Sequence, residues 1–177
     1  MKFKLAALVL VTTAGLSSVA SADDGKINFI GDIIESGCEV NSTLSSPMTV
    51  KLGTIAKTAF NATAGTTAAN TKFTLVLKNC PNELKNVAVK YDGTPDQINQ
   101  DALQVTDYGT TGVAKGVAIQ LMNSSGSVLP LGTESDSTAL NSTGDTNLDF
   151  FARYIATEDT IAVGSANGTV NFTLAYN

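Results

Sequence analysis

Along most of this 177-residue chain, apolar side chains recur at every second position. Val50 and Leu52 follow the rule, as do Phe73, Leu75 and Leu77; Val87, Val89 and Tyr91; Val117, Ile119 and Leu121; and Leu148, Phe150, Ala152 and Tyr154. A period of two puts such residues on one face of an extended strand, whereas a helix would need a period near 3.6. Turn-rich stretches at 61–70, 92–99, 123–126 and 135–147 separate the runs. Asn167-Gly168, just before the last run, is a hairpin signal. Short strands at this spacing, with no amphipathic helix among them, predict an all-β sandwich of immunoglobulin-like character.

The two ends of the chain share the same alternation. Gly25, Ile27, Phe29, Gly31 and Ile33 fall on one face of an early extended run, and Val170, Phe172, Leu174 and Tyr176 on one face of the last, which ends at Asn177. A strand this apolar needs a neighbour on each side, and the sequence offers no further strand after Asn177 to supply the second. The pair reads as a plug and an unfinished socket, which points to assembly between chains. Two plainer readings stand beside it. The early run could be the first strand of its own complete sandwich, because alternation does not say which chain a strand pairs with, and the last run could be a covered edge.

Ahead of these runs, Lys2 and Lys4 precede an apolar stretch from Leu5 to Ala14, and Ala20-Ser21-Ala22 follows as a small-residue cleavage site. Residues 1–22 are therefore expected to be a secretory signal peptide, with the exported chain starting at Asp23. A membrane-spanning helix would need about 20 apolar residues, and Thr12, Thr13, Gly15, Ser17 and Ser18 interrupt the run. What remains suits one domain with a single core. The whole chain has a net charge of −5, and losing the two leader lysines makes it more acidic still; nucleic acid and anionic membrane surfaces are thus poor partners. Export makes the two cysteines, Cys38 and Cys80, candidates for a disulfide. A bridge spanning 42 positions would stabilise by roughly 4 kcal/mol in the loop-entropy picture.

Candidate chemistry is sparse. The chain has no histidine, which removes imidazole triads and most zinc or copper sites. Gly109, Gly112 and Gly116 lack the strand-to-helix setting of a phosphate loop or nucleophile elbow. Asp92, Asp96, Asp101, Asp145 and Asp149 are expected in turns, where aspartate is a turn former. No catalytic residue, metal site, cofactor or small-molecule substrate is expected.

Taken in order, the motifs resemble those of chaperone-usher pilus subunits of the type 1 fimbrial major pilin family. They run from Gly25-x-Ile27-x-Phe29-x-Gly31-x-Ile33 and Cys38-Glu39-Val40 through Val50-x-Leu52-Gly53 and Phe73-x-Leu75-x-Leu77-x-x-Cys80. Gly116 to Leu121, Leu129-x-Leu131-Gly132, Phe151-Ala152-Arg153-Tyr154 and Val163 to Tyr176 complete the set. The resemblance implies an incomplete immunoglobulin-like sandwich, spanning 34–177, whose missing strand is donated by the 23–33 extension of a neighbouring subunit. Gly25, Ile27, Phe29, Gly31 and Ile33 would be the donor residues, with Gly31 at a point too shallow for a side chain. Val170, Phe172, Leu174, Tyr176 and Asn177 would form the acceptor groove and the contact with a periplasmic chaperone, which in the family grips the C-terminal carboxylate. It further implies an outer-membrane usher, a homopolymer of neighbouring subunits, and export through the periplasm to a surface fimbrium that supports adhesion. A minor or adaptor pilin, and a monomeric secreted immunoglobulin-like binding module, are the alternatives.

Overall fold

The computed structural model describes residues 26–31, 33 and 36–177. The expected leader, the start at Asp23 and Gly25 lie outside the described residues. Contacts divide the chain into a leading segment ending at Ile33 and a body from Ile34 to Asn177. The described residues of the leading segment form no regular secondary structure, and Ile27, Phe29, Ile30 and Ile33 are 77%, 93%, 97% and 102% exposed.

The body is built of β-strands with one short 3-10 turn, Lys57–Phe60. The strands are β1 (Glu39–Val40), β2 (Thr67–Lys78), β3 (Asn86–Asp92), β4 (Leu103–Gln104), β5 (Val117–Met122), β6 (Thr138–Ala139), β7 (Thr146–Ala156) and β8 (Asn171–Tyr176). One sheet runs β1-β2-β7-β5-β4 and the other β6-β3-β8. All the strand pairs are antiparallel, as expected of hairpin-rich sandwiches in which each strand turns one face to the core. In the larger sheet Phe73 is opposite Phe150 and Leu75 opposite Leu148; in the smaller one Val89 is opposite Leu174 and Tyr91 opposite Phe172. The inward faces meet in one core containing Leu75, Leu77, Val87, Val89, Tyr91, Ile119, Leu121, Leu148 and Phe150. These are the residues that period-two spacing put inside.

Three expectations need correction. Val50 and Leu52 alternate as a strand should, yet the stretch from Met48 to Ile55 belongs to no strand, because strand assignment needs a hydrogen-bonded neighbour and Thr49 to Ile55 have none. Asn167-Gly168 does not turn a hairpin: Gly168 is not among the residues with positive φ. It is small for another reason, since a Cβ there would lie 2.6 Å from Ile119 Cδ1 and 3.0 Å from Leu103 Cδ2. Of the aspartates expected in turns, Asp149 lies inside β7 and Asp92 closes β3. Asp149 lies between core residues Leu148 and Phe150 and Asp92 follows core residue Tyr91, so their side chains alternate outward.

Candidate functional site: an unpaired edge over the core

β8 lies at the edge of the smaller sheet with β3 as its one strand partner. Asn86 and Asn177 exchange backbone hydrogen bonds, 2.9 Å from Asn86 N to Asn177 O and 3.2 Å from Asn177 N to Asn86 O. An unbroken antiparallel register follows from there, and in such a ladder hydrogen-bonded pairs alternate. Asn171, Thr173 and Ala175 therefore direct their main-chain groups at β3. Phe172, Leu174 and Tyr176 direct theirs away from it, where no described strand lies. The same three residues, with Val170, turn half-buried side chains onto the core. One set of positions thus presents both free N–H and C=O groups and incompletely covered apolar surface.

A second unpaired stretch borders the same core. Met48 and Leu52 are half-buried against it, Val50 and Ile55 are also half-buried, and Thr49, Lys51, Gly53 and Thr54 between them are exposed. Near the Tyr176 end, the Cys38 N–H donates to the Tyr176 hydroxyl at 3.0 Å. A Cβ on Gly37 would come within 2.9 Å of that hydroxyl, so Gly37 allows the ring to lie against the backbone. Cys38 is in turn disulfide-bonded to Cys80, just beyond β2. Near the start of β8 a cavity of about 280 Å³ is lined by Ile55, Phe60, Val117, Tyr154, Ile161 and Ala166, among others. Tyr154 steadies this region by donating to the Ala166 carbonyl at 2.9 Å; burial raises its phenol pKa.

Tyr91, on β3 opposite Phe172 of β8, has its ring 6.4 Å from that of Phe172, 6.3 Å from Phe73 and 5.4 Å from Phe150. Among the described residues its buried hydroxyl has no hydrogen-bond partner, and desolvation pushes its pKa well above the ordinary phenol value. Charge lies elsewhere. Asp149 accepts from Lys72 Nζ at 2.9 Å and from Thr74 Oγ1 at 2.7 Å, and these bonds lower its pKa. Among the described residues no three histidine, cysteine or acidic side chains converge as a metal site would require. An apolar trough bordered by unpaired backbone is suited to take up an extended segment through main-chain hydrogen bonds and alternate side chains.

The structure brings Val170, Phe172, Leu174 and Tyr176 onto one face and seats Asn177 at the end of the β3 ladder. Ile27, Phe29, Gly31 and Ile33 belong to the separate leading segment. The sequence reading missed the second border: the Met48-Val50-Leu52 alternation was visible, but nothing in it distinguishes a paired strand from an unpaired one.

A sequence profile described as Fimbrial protein matches residues 27–177, the full length of the body and most of the described leading segment. The chain belongs to the fimbrial protein family. This fimbrial subunit is 33% identical over 175 residues to the long polar fimbria protein A of Salmonella typhimurium, covering 98% of this chain and 94% of that one. It is 31% identical over 175 residues to the type-1 fimbrial protein A chain of Escherichia coli K12, covering 97% and 94%. Among solved structures, the P pilus rod subunit PapA matches with a TM-score of 0.65 at 20% identity, over 80% of this chain and 100% of that one; that likeness shows the shared fold. The protein is a structural subunit of a surface pilus, with the all-β, immunoglobulin-like fold of pilins.

Proposed function

We propose that this fimbrial subunit polymerises by donor-strand exchange and performs no catalysis. The observation that carries the reading is the pair of unpaired edges, β8 and Met48 to Ile55, over one incompletely covered core. The strand that fills the trough is the 23–33 extension of another copy. Gly25, Ile27, Phe29, Gly31 and Ile33 form the donor face, with Ile27, Phe29 and Ile33 entering as alternate side chains and Gly31 lying where the trough is shallow, and the body from residue 34 receives them on Val170, Phe172, Leu174 and Tyr176. Burying three apolar donor side chains at about 1.5 to 3 kcal/mol each gives roughly 5 to 9 kcal/mol before ordering costs. Slow escape of the strand then makes the polymer durable kinetically.

Before assembly a periplasmic chaperone lends a strand to the same edge, reaching Asn177, and an outer-membrane usher receives the complex. The leader at 1–22 takes the chain to the periplasm, and neighbouring copies make the partner set. No nucleotide, metal or small-molecule substrate enters the exchange, which draws on folding energy withheld while the strand position is empty.

The test is size-exclusion chromatography and electron microscopy of the exported protein after co-expression with its chaperone, with and without residues 23–33. Polymers are expected from the full chain, and chaperone-bound or unstable monomers from the deletion. Gly31→Leu should slow elongation by obstructing insertion. Stable free monomers from both chains would identify a closed sandwich and overturn the proposal.

A further inference from the structure

We propose that Met48 is an oxidation site of the groove border, and that its conversion to the sulfoxide by a peroxide closes the groove to an incoming strand. The inference rests on the donor-strand reading above and adds a control on the same site.

The chain has three methionines, and the two in the body differ sharply in setting. Met122, on β5, is 1% exposed. Met48 begins the half-buried row that continues through Val50 and Leu52, and its side chain rests on the main core without being covered. Its position is fixed from behind: the Met48 N–H donates to Ser42 Oγ at 3.1 Å, and Ser42 is itself 7% exposed. A soft thioether side chain is thus half-buried against the main core and only partly covered.

The reaction is a two-electron oxygen transfer. A sulfur lone pair attacks one peroxide oxygen, the O–O bond breaks, an S–O bond forms and water leaves, with sulfur oxidised and the peroxide reduced. The product is a polar, chiral side chain in place of a flexible apolar one. An inserted strand would have to bury that new oxygen against apolar neighbours, and burial of a polar group without a hydrogen bond is unfavourable. Oxidation of an open subunit therefore opposes strand uptake. Conversely, a strand already in place covers Met48 and shields the sulfur, so assembled copies resist the change that stops unassembled ones.

The experiment treats the full exported subunit, released from its chaperone, with hydrogen peroxide. Peptide mass spectrometry reads sulfoxide at Met48 and Met122, and elongation is followed against untreated protein. Met48 should oxidise while Met122 does not, elongation should fall on the order of tenfold, and Met48 in preformed fibres should be protected. Met48→Leu, a volume-conserving change, should lose the sensitivity to peroxide, its treated and untreated samples elongating at the same rate. Met48→Gln should be slow without any oxidant, and methionine sulfoxide reductase should restore the treated native chain. An unreactive Met48, fully oxidised subunits that elongate at the untreated rate, or equal loss in Met48→Leu would each overturn the inference while leaving the polymerisation reading intact. Untreated subunits that never elongate would overturn that reading and this inference with it.

Discussion

Tyr91 is the residue at which alternation and chemistry part company. Its place in the Val87-Val89-Tyr91 row identifies it as core, and it is 2% exposed, but no spacing rule says whether a buried hydroxyl finds a partner. Among the described residues it finds none. A desolvated, unpaired hydroxyl costs about 1–3 kcal/mol, whereas phenylalanine keeps the ring contacts with Phe73, Phe150 and Phe172. Tyr91→Phe is therefore expected to raise the thermal midpoint, by about 2–4 °C for each kcal/mol recovered in a domain of this size. Calorimetry of the unassembled subunit checks this, and a lower midpoint would show that the hydroxyl is satisfied after all.

At the scale of the element, β8 makes a prediction of its own through its ladder. Amide hydrogen exchange in the unassembled subunit should be slow at Thr173 and Ala175, which bond to β3, and faster at Phe172, Leu174 and Tyr176, which do not. In the fibre all five should slow. Uniform protection in the lone subunit would mean that the outer edge is already occupied. Strand existence was legible from period two in the long strands β2, β3, β5, β7 and β8, whereas β4 and β6, two residues each, are too short to show a period, and β6 lies in a stretch read as turn. It failed at Val50 and Leu52 because a strand is defined by its partner, and among the described residues these two have no backbone partner. It failed at Asn167-Gly168 because a glycine demanded by close approach to Leu103 and Ile119 looks, in sequence, the same as one demanded by a turn. That Val170, Phe172, Leu174 and Tyr176 share one core-facing side was readable; the unpaired stretch from Met48 to Ile55 was not.

For the molecule as a whole, the bridge between Cys38 and Cys80 ties the beginning of the body to the end of β2. Its Cys38 end also holds Tyr176, at the far end of the chain, through a backbone N–H. Replacing both cysteines by serine should lower stability by roughly 4 kcal/mol in the loop-entropy picture, seen as a lower urea midpoint with a steeper slope, because the unfolded chain without the cross-link is more expanded. An unmoved midpoint would mean that the loop is held closed without the bond. The cysteine count and the leader made this bridge foreseeable, while its link to Tyr176 depends on folding that brings residues 138 positions apart together.

The remaining sheet edges have a consequence for architecture. β1, β4 and β6 are each two residues long, while β8, the fourth edge, has six. Strands of two residues offer little backbone of their own to template another strand, whereas β8 presents six residues beside half-buried apolar side chains. Under the proposed exchange, a unit with one acceptor and one donor has a valence of two, so its product would be an unbranched thread. Its length would follow the ratio of growing ends to subunits, and it would end at a copy able to donate but not to accept.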